Sequence, residues 1–412
     1  MKKLARWFGA GSKAEANPAP VPTAQPALRG PVDLTAPDFV ADPYPTYAAA
    51  REHAGLAEVA SGGFLLTRYA DIRRAVTHPS LGNAPSRFSV LAPRNRAKYT
   101  AADLAAHIPP FLDLPEHKLP RQALMRAFTR SFEGFEVALE QEAQTRVAGL
   151  SGEVELISGV ASPFALASMQ RFVGLEAEPA TLKRITAGFF HLFAPITDPA
   201  AFAETNAGLD DARALFHAAL EARRARPGAD LLSNLLAFQA EHDALSDAQI
   251  VDCAILVFAD GIENIEAGAA SVFALLEAQG ATSEEACIRE ALRLQTPGQI
   301  VPRVARESFD WEGTEITAGT PVFLALASAN RDGTVFDAPD LFNADRSEEV
   351  FTFGMGRHRC IGEALGVAQI TALMQALHAR GARRAEPGAT LDYAPRFGHR
   401  WPKALPIVLP GV

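Results

Sequence analysis

A mainly α fold with small antiparallel β-sheets is what this chain predicts, and three observations carry the expectation. Helical patterns dominate from Asp42 onward, no alternation of strand and helix of the βαβ kind is present, and the β-like runs are few and short. The chain has 412 residues, 48% of them hydrophobic and 21% charged. That composition excludes disorder for most of its length and supplies one large core or two medium ones. Its formal net charge of −9, with no dominant Lys/Arg cluster, argues against nucleic-acid binding, because phosphate neutralisation needs a basic face. Three cysteines, Cys253, Cys287 and Cys360, stand in no CxxC or Cys/His finger spacing. Neither a disulfide framework nor structural zinc is expected, and a reducing cytoplasm fits best.

The chain divides into a Pro/Ala-rich tail, residues 1–33, and a folded domain, residues 34–412. The tail starts basic but has no apolar h-region, and Pro18, Pro20, Pro22, Pro26 and Pro31 stiffen and extend it. Arg6, Trp7 and Phe8 offer too little apolar area to anchor on a membrane surface. Nowhere do about 20 apolar residues run together, so neither a signal peptide nor integral membrane association is expected. The β-like runs are 62–69, 308–328 and 404–409. There is no internal repeat.

The longest helix is the most informative element. Ser246 and Gln249 form a capping box, and no proline follows before Gly280. At 1.5 Å per residue that is roughly 50 Å, enough to cross a domain. At mid-span it reads FADGIENIEAG, where Asp260, Glu263 and Asn264 share one face at i, i+3 and i+4 and Gly261 weakens the backbone. Two readings stand: a solvated stripe, or a buried acid face beside a helix distortion, since carboxylates stay inside only when paired or used.

The stretch FTFGMGRHRCIG, 351–362, surrounds Cys360 with glycines, two arginines and a histidine. A sulfur that ligates iron must be a thiolate, which needs backbone N–H donors and positive charge nearby. Gly356 and Gly362 allow the tight turns, and Arg357, His358 and Arg359 supply the field. A buried core cysteine would leave that cationic cluster unexplained.

This stretch resembles the haem-binding signature FGxGxHxCxG of the cytochrome P-450 superfamily, matched at Phe353, Gly354, Gly356, His358, Cys360 and Gly362. The resemblance extends from Asp42 through most of the chain. DPYPTY (42–47) is similar to the family's first helix, 64–79 to its first hairpin and next helix, and 114–129 to the segment carrying HxxxR, here His117 and Arg121. EALR (290–293) matches ExxR and is followed by PRVAR with Arg303, while 327–342 resembles the segment before the meander. Singly, such motifs have plain readings, Glu290–Arg293 as a surface helix pair for example. Their joint order and spacing do not. Three departures stand out. Leu341 takes the place of an arginine that often completes the ExxR network. Asp260 and Asn264 replace a small residue and a threonine. Residues 366–369 lack the usual charges.

The resemblance implies a single haem-thiolate domain, with haem b (iron protoporphyrin IX) ligated by Cys360 and lodged against Phe353 and Gly362. His117, Arg121, Arg303 and His358 would hold its propionates, arginine being favoured for its fork geometry. Glu290 and Arg293 would be a structural pair. Catalysis would fall to Glu263 as acid, to Asn264 in the alcohol's place, and to Asp260 as a relay member or substrate-recognising group, unless it pairs with a neighbouring base. The implied reaction is a monooxygenase's, inserting one atom of dioxygen into a mid-sized, largely apolar small molecule of secondary metabolism. Electrons would come from NAD(P)H through ferredoxin reductase and a separate ferredoxin to a cytoplasmic monomer. Asn264 also motivates peroxide-driven oxygenation, oxidative cyclisation or desaturation, and a non-enzymatic haem protein is a remote third reading. Substrate contacts would come from 80–110, 165–210, Ala259, Asp260, Gln299 to Val301 and the Phe397–Pro402 turn.

Overall fold

Helices make up most of the chain: α1 (Pro37–Ala41), α2 (Tyr44–Glu52), α3 (Tyr69–Ala75), α4 (Thr100–Ala105), α5 (Lys118–Phe132), α6 (Glu136–Ala148), α7 (Ser162–Val173), α8 (Pro179–Thr186), α9 (Pro199–Ala225), α10 (Leu231–Glu241), α11 (Asp247–Gln279), α12 (Glu285–Leu294), α13 (Leu326–Ala329) and α14 (Glu363–Ala379). The computed structural model describes residues 28, 30–52, 56–86, 89–186, 189–193, 198–242 and 244–411. Most of the expected tail, with Arg6, Trp7 and Phe8, lies outside the described residues. Among the described residues, no helix is long and apolar enough to cross a membrane.

Local chemistry sets the helix starts. Asp198 accepts from the N–H of Ala200 ahead of Pro199, and Asp230 accepts from the N–H of Ser233. In α11 both arms of the predicted capping box form between Ser246 and Gln249, and the helix runs 33 residues to Gly280. Its apolar residues, among them Ile250, Ile262 and Val272, are buried in a large helical core shared with α7, α9, α12 and α14.

The strands are β1 (Leu56–Glu58), β2 (Phe64–Leu66), β3 (Leu81–Gly82), β4 (Gly152–Glu155), β5 (Ile300–Ala305), β6 (Phe309–Trp311), β7 (Thr314–Ile316), β8 (Pro321–Ala325), β9 (Arg383–Arg384), β10 (Tyr393–Arg396), β11 (His399–Pro402) and β12 (Pro406–Leu409). They build a five-stranded sheet in the order β1-β2-β8-β5-β3, a three-stranded sheet β4-β12-β9 and two hairpins. Pairing is antiparallel except between β2 and β8, which run parallel with Phe64 opposite Val322. Nearly the whole helical part of the chain connects those two strands, so no tight turn dictates their direction. The run 308–328 also ends differently from expectation, its last three residues turning into α13. Strand β5 escapes notice in the sequence because of Pro302. That proline faces Phe323 of β8, while β3 pairs with β5 only at Val304 and Ala305, so the missing N–H costs no ladder bond on that side.

One charged network ties α11 to the helices over it. Asp252, with no exposed surface, accepts from Nε and Nη2 of Arg213 at 2.8 and 2.6 Å and lies 2.6 Å from Nδ1 of His107. Arg213 also reaches Asp103 on α4 at 2.9 Å. Arg213→Ala is expected to cost about 3 kcal/mol or more in equilibrium denaturant unfolding, because it strands a fully buried carboxylate. Wild-type stability in that variant would show that His107 alone suffices.

Candidate active site

The cysteine loop is built by two left-handed glycines. Gly354 and Gly356 sit at φ +66° and +69°, conformations that side-chain-bearing residues rarely adopt. They fold the chain back so that the N–H of Cys360 donates to the carbonyl of Phe353 at 2.8 Å. The surface of Cys360 is accessible, yet the protein around it pushes the thiol up to about 11, aided by the charge of Asp260 and opposed by the N–H of Gly362. The positive field expected around the sulfur is thinner than the sequence suggests. His358 is driven down to about 3 by burial and then by the Arg303 charge, so it is neutral, and Arg359 is paired with Glu363 at 2.8 Å. The polypeptide around Cys360 thus raises its thiol, and a metal bound there would lower it.

Beside the loop gather four basic side chains, none of which forms an ion pair among the described residues, although Asp113 is near enough to act on two of them. His117 stands just ahead of α5, 3% exposed, and its buried Nε2 has no hydrogen-bond partner. Its ring centroid is 4.4 Å from that of His358. One turn on, Arg121 donates Nη2 to the carbonyl of Arg359 at 2.7 Å. Arg303 projects from β5, 7% exposed, and its Nη1 donates to the carbonyl of Pro302 at 2.8 Å. Burial lowers it to about 10, and the acid it senses, Asp113, forms no ion pair with it. Burying cations and an orphaned ring nitrogen together is costly unless an anionic ligand completes them. The two propionates of a haem fit that demand. Among the described residues no group of three or more His, Cys, Asp or Glu could hold a metal ion.

Opposite Cys360 lies the middle of α11. The face is neither a solvated stripe nor wholly buried: Glu263 is 7% exposed and 2.9 Å from Nη1 of Arg396 on β10, while Asp260 and Asn264 are half-buried. Burial raises Glu263 to about 7 against the pull of that arginine. Arg396 itself lies 3.8 Å over the ring of Trp401. No distortion accompanies the acid face, because the helix is continuous. Gly261 serves packing: a Cβ there would stand 2.5 Å from Cε of Met169 on α7. Asn264 donates Nδ2 back to the carbonyl of Asp260 at 3.2 Å. Asp260 has no basic partner among the described residues, so the pairing held open in the sequence reading does not form. Sequence reasoning missed Arg396, whose only signal was a cationic β-hairpin after the haem loop.

Glu290 and Arg293 form a buried fork, with both bonds at 2.7 Å and exposures of 5% and 1%. The network does have a second arginine. Arg346 reaches Oε1 of Glu290 at 3.2 Å, five positions beyond exposed Leu341, whose backbone carbonyl accepts from Arg293. Arg293 also donates to the carbonyls of Asn330 and Pro339. Gln369, in the stretch lacking charges, is buried and donates to Ser168 at 2.8 Å. Gln299 departs from its expected place at the substrate: its carbonyl oxygen accepts from Tyr47 at 3.1 Å and its amide donates to Tyr44 at 3.3 Å. Cys253 is buried as expected, whereas Cys287 is only half-buried.

Comparison with known proteins agrees with this geometry. The cytochrome P450 family model matches residues 284–378. A vitamin D(3) 25-hydroxylase of Pseudonocardia autotrophica is 30% identical over 352 residues, covering 81% of this chain and 85% of the relative. A biotin biosynthesis cytochrome P450 of Bacillus subtilis is 28% identical, covering 72% and 78%. Among solved structures, ligand-free CYP164A2 of Mycobacterium smegmatis superposes with a TM-score of 0.76 at 28% identity, covering 91% of this chain and 98% of that one. P450BioI in complex with an acyl carrier protein shares the fold, with a TM-score of 0.81 at 23% identity over 90% and 99%. The chain belongs to the cytochrome P450 family of haem-thiolate monooxygenases.

Proposed function

We propose that residues 34–412 act as one catalytic domain that inserts an atom of dioxygen into a mid-sized, largely apolar molecule with a polar handle. Electrons come from NAD(P)H through ferredoxin reductase and a separate ferredoxin. The observation that carries this reading is the Cys360 loop beside the acid face of α11, with four bases at its side that form no ion pair among the described residues. Haem bound there through a cysteine thiolate supplies the activation of dioxygen and the oxidation of an unactivated carbon. The polypeptide holds it and manages protons. His117, Arg121, Arg303 and His358 grip the propionates, and Phe353 and Gly362 frame the ligand loop. Glu263, held near 7, exchanges a proton at neutral pH and is steered by Arg396. Asn264 has one of its two amide N–H donors committed to the helix. Its oxygen accepts hydrogen bonds but an amide cannot pass a proton, so an ordered water or a substrate hydroxyl completes the path. That same residue favours, as the second reading, a peroxide-driven, cyclising or desaturating reaction.

The protein is further proposed to be a cytoplasmic monomer working in secondary metabolism, a reading supported by a relative named mycinamicin IV hydroxylase/epoxidase. Exposed Arg357, Lys118 and Arg130 present positive charge on the cysteine side. Arg359 and Arg126 contribute less, being paired with Glu363 and Glu241. An acidic ferredoxin docks there by electrostatic steering. Turnover is expected with NAD(P)H and a surrogate ferredoxin system, with a reduction rate that falls as salt rises and falls again in Arg357→Glu. A rate indifferent to both moves the docking site elsewhere, and turnover with hydrogen peroxide alone favours the second reading.

A further inference from the structure

The ion pair between Arg396 and Glu263 is lopsided. The carboxylate side chain is 9% exposed and the guanidinium side chain 39%, so the acid is enclosed while its partner stands at the edge of solvent. A half-exposed arginine loses rotamer entropy when it holds one geometry, and water screens what it gains. Nη1 of Arg396 nevertheless sits 2.9 Å from Oε2 of Glu263. Burial raises Glu263, Glu266 and Asp260 on its own helix raise it further, and Arg396 is the group that draws it down. His399, opposite Arg396 in the hairpin, is itself lowered by burial and stays neutral. With the pair formed the carboxyl lies at about 7; with the guanidinium swung to solvent it would rise and stay protonated through neutral pH.

The β10–β11 hairpin is built to prevent that swing. Arg396 faces His399 across the strands and Ala394 faces Trp401, which makes Arg396 and Trp401 diagonal neighbours on one side of the hairpin. The guanidinium carbon lies 3.8 Å from the centroid of the indole, and Trp401 is 6% exposed, so the ring is a fixed plate with its negative face to the cation. The backbone beneath is pinned as well. The carbonyl of Gly398 accepts from the N–H groups of Gln299 at 2.8 Å and Ile300 at 3.1 Å, and the N–H of Arg400 donates to the carbonyl of Pro297 at 2.8 Å. Gly398 sits at φ +69°, where a Cβ would stand 3.1 Å from the carbonyl oxygen of Ile300. Arg400 covers the Tyr393 ring at 3.7 Å and donates to the carbonyl of Ala41 at 3.1 Å. With both strands anchored, the pair opens by rotation of the Arg396 side chain, and Trp401 stands against that rotation.

We propose that Trp401 is a positioning residue for the reaction: its ring face clamps the Arg396 guanidinium onto Glu263, so that the proton supply of α11 is set from the β10–β11 hairpin. The inference rests on Glu263 being the acid of the reaction, and the test separates the two. Infrared difference spectra of the haem-loaded full chain against Glu263→Gln isolate the carboxyl band of Glu263, and its loss as pH rises gives a midpoint, about 7 in wild type. Arg396→Gln should move that midpoint up by about one pH unit or more. Trp401→Leu should move it in the same direction by less, and Trp401→Phe, which keeps an aromatic face, should restore most of it. In the Arg396→Gln background Trp401→Leu should add no further shift, because the ring acts through the arginine. Replacing Trp401 by a ring-fluorinated tryptophan weakens the negative face at nearly constant shape, should also raise the midpoint, and serves if the leucine variant does not fold. An unchanged midpoint in the leucine or fluorinated protein overturns the proposal. So does a shift of the same size with and without Arg396, which is what a loosened core produces. Peroxide release reports the other reading: a Glu263→Gln protein as well coupled as wild type ends the role of Glu263 as the acid, while the infrared midpoints still decide the clamp.

Discussion

Cys360→His is expected to abolish the long-wavelength carbon-monoxide band of the reduced protein and all monooxygenase turnover. The sulfur is the single candidate ligand in its loop, held by the N–H of Cys360 on Phe353 and accepting from the N–H of Gly362. An imidazole there offers a neutral donor in place of a thiolate and removes the electron density that favours O–O cleavage. Haem content should survive in part, because His117, Arg121, Arg303 and His358 do not depend on the sulfur, and extraction of the pigment measures it. An unchanged spectrum would end the haem-thiolate reading. Alanine at Cys253 or Cys287 serves as the control and should leave the band intact, at a cost on the order of 1 kcal/mol for the buried Cys253.

Removal of Arg293 should have the largest effect on stability. Its guanidinium makes two bonds of 2.7 Å to Glu290 and reaches the backbone carbonyls of Asn330, Pro339 and Leu341. Arg293→Ala leaves Glu290 with Arg346 and the N–H of Asn343, and takes the guanidinium away from the carbonyls of Asn330 and Pro339 ahead of the cysteine loop. The cost is about 3–5 kcal/mol, a large share of the roughly 5–15 kcal/mol that separates folded from unfolded chains. Little haem-loaded protein should be recovered, and what is recovered should unfold at lower denaturant. Arg293→Lys should rescue poorly, since an ammonium cannot span both carboxylate oxygens and the carbonyls at once. Wild-type stability in the alanine variant would show that Arg346 carries the network.

The local features of this protein were legible because their physics is local. A capping box and an uninterrupted apolar run predict α11 to its ends, since N-terminal N–H groups are satisfied by side chains three residues apart. The glycines of 351–362 announce a turn that only positive φ permits. Glu290 and Arg293 announce a pair because three residues is nearly one helical turn.

What lay outside the sequence were the pairings between distant segments. Arg396 meets Glu263 across 133 residues, Arg346 meets Glu290 across 56, and Gln299 turns toward Tyr44 and Tyr47 some 250 positions away. Periodicity reports which face of an element is apolar but not which charge another element will bring to it. The state of the cysteine loop was decided the same way. Three basic residues in a row predict a strong positive field, yet packing silenced His358 by burial and handed Arg359 to Glu363. The sequence alone determined the fold class and brought Asp260, Glu263 and Asn264 to one side of α11, since helical periodicity is local. The tertiary structure decided which of those charges were paired, because burial and distant neighbours set the cost of every charge: Glu263 met Arg396, and Asp260 met no basic partner among the described residues.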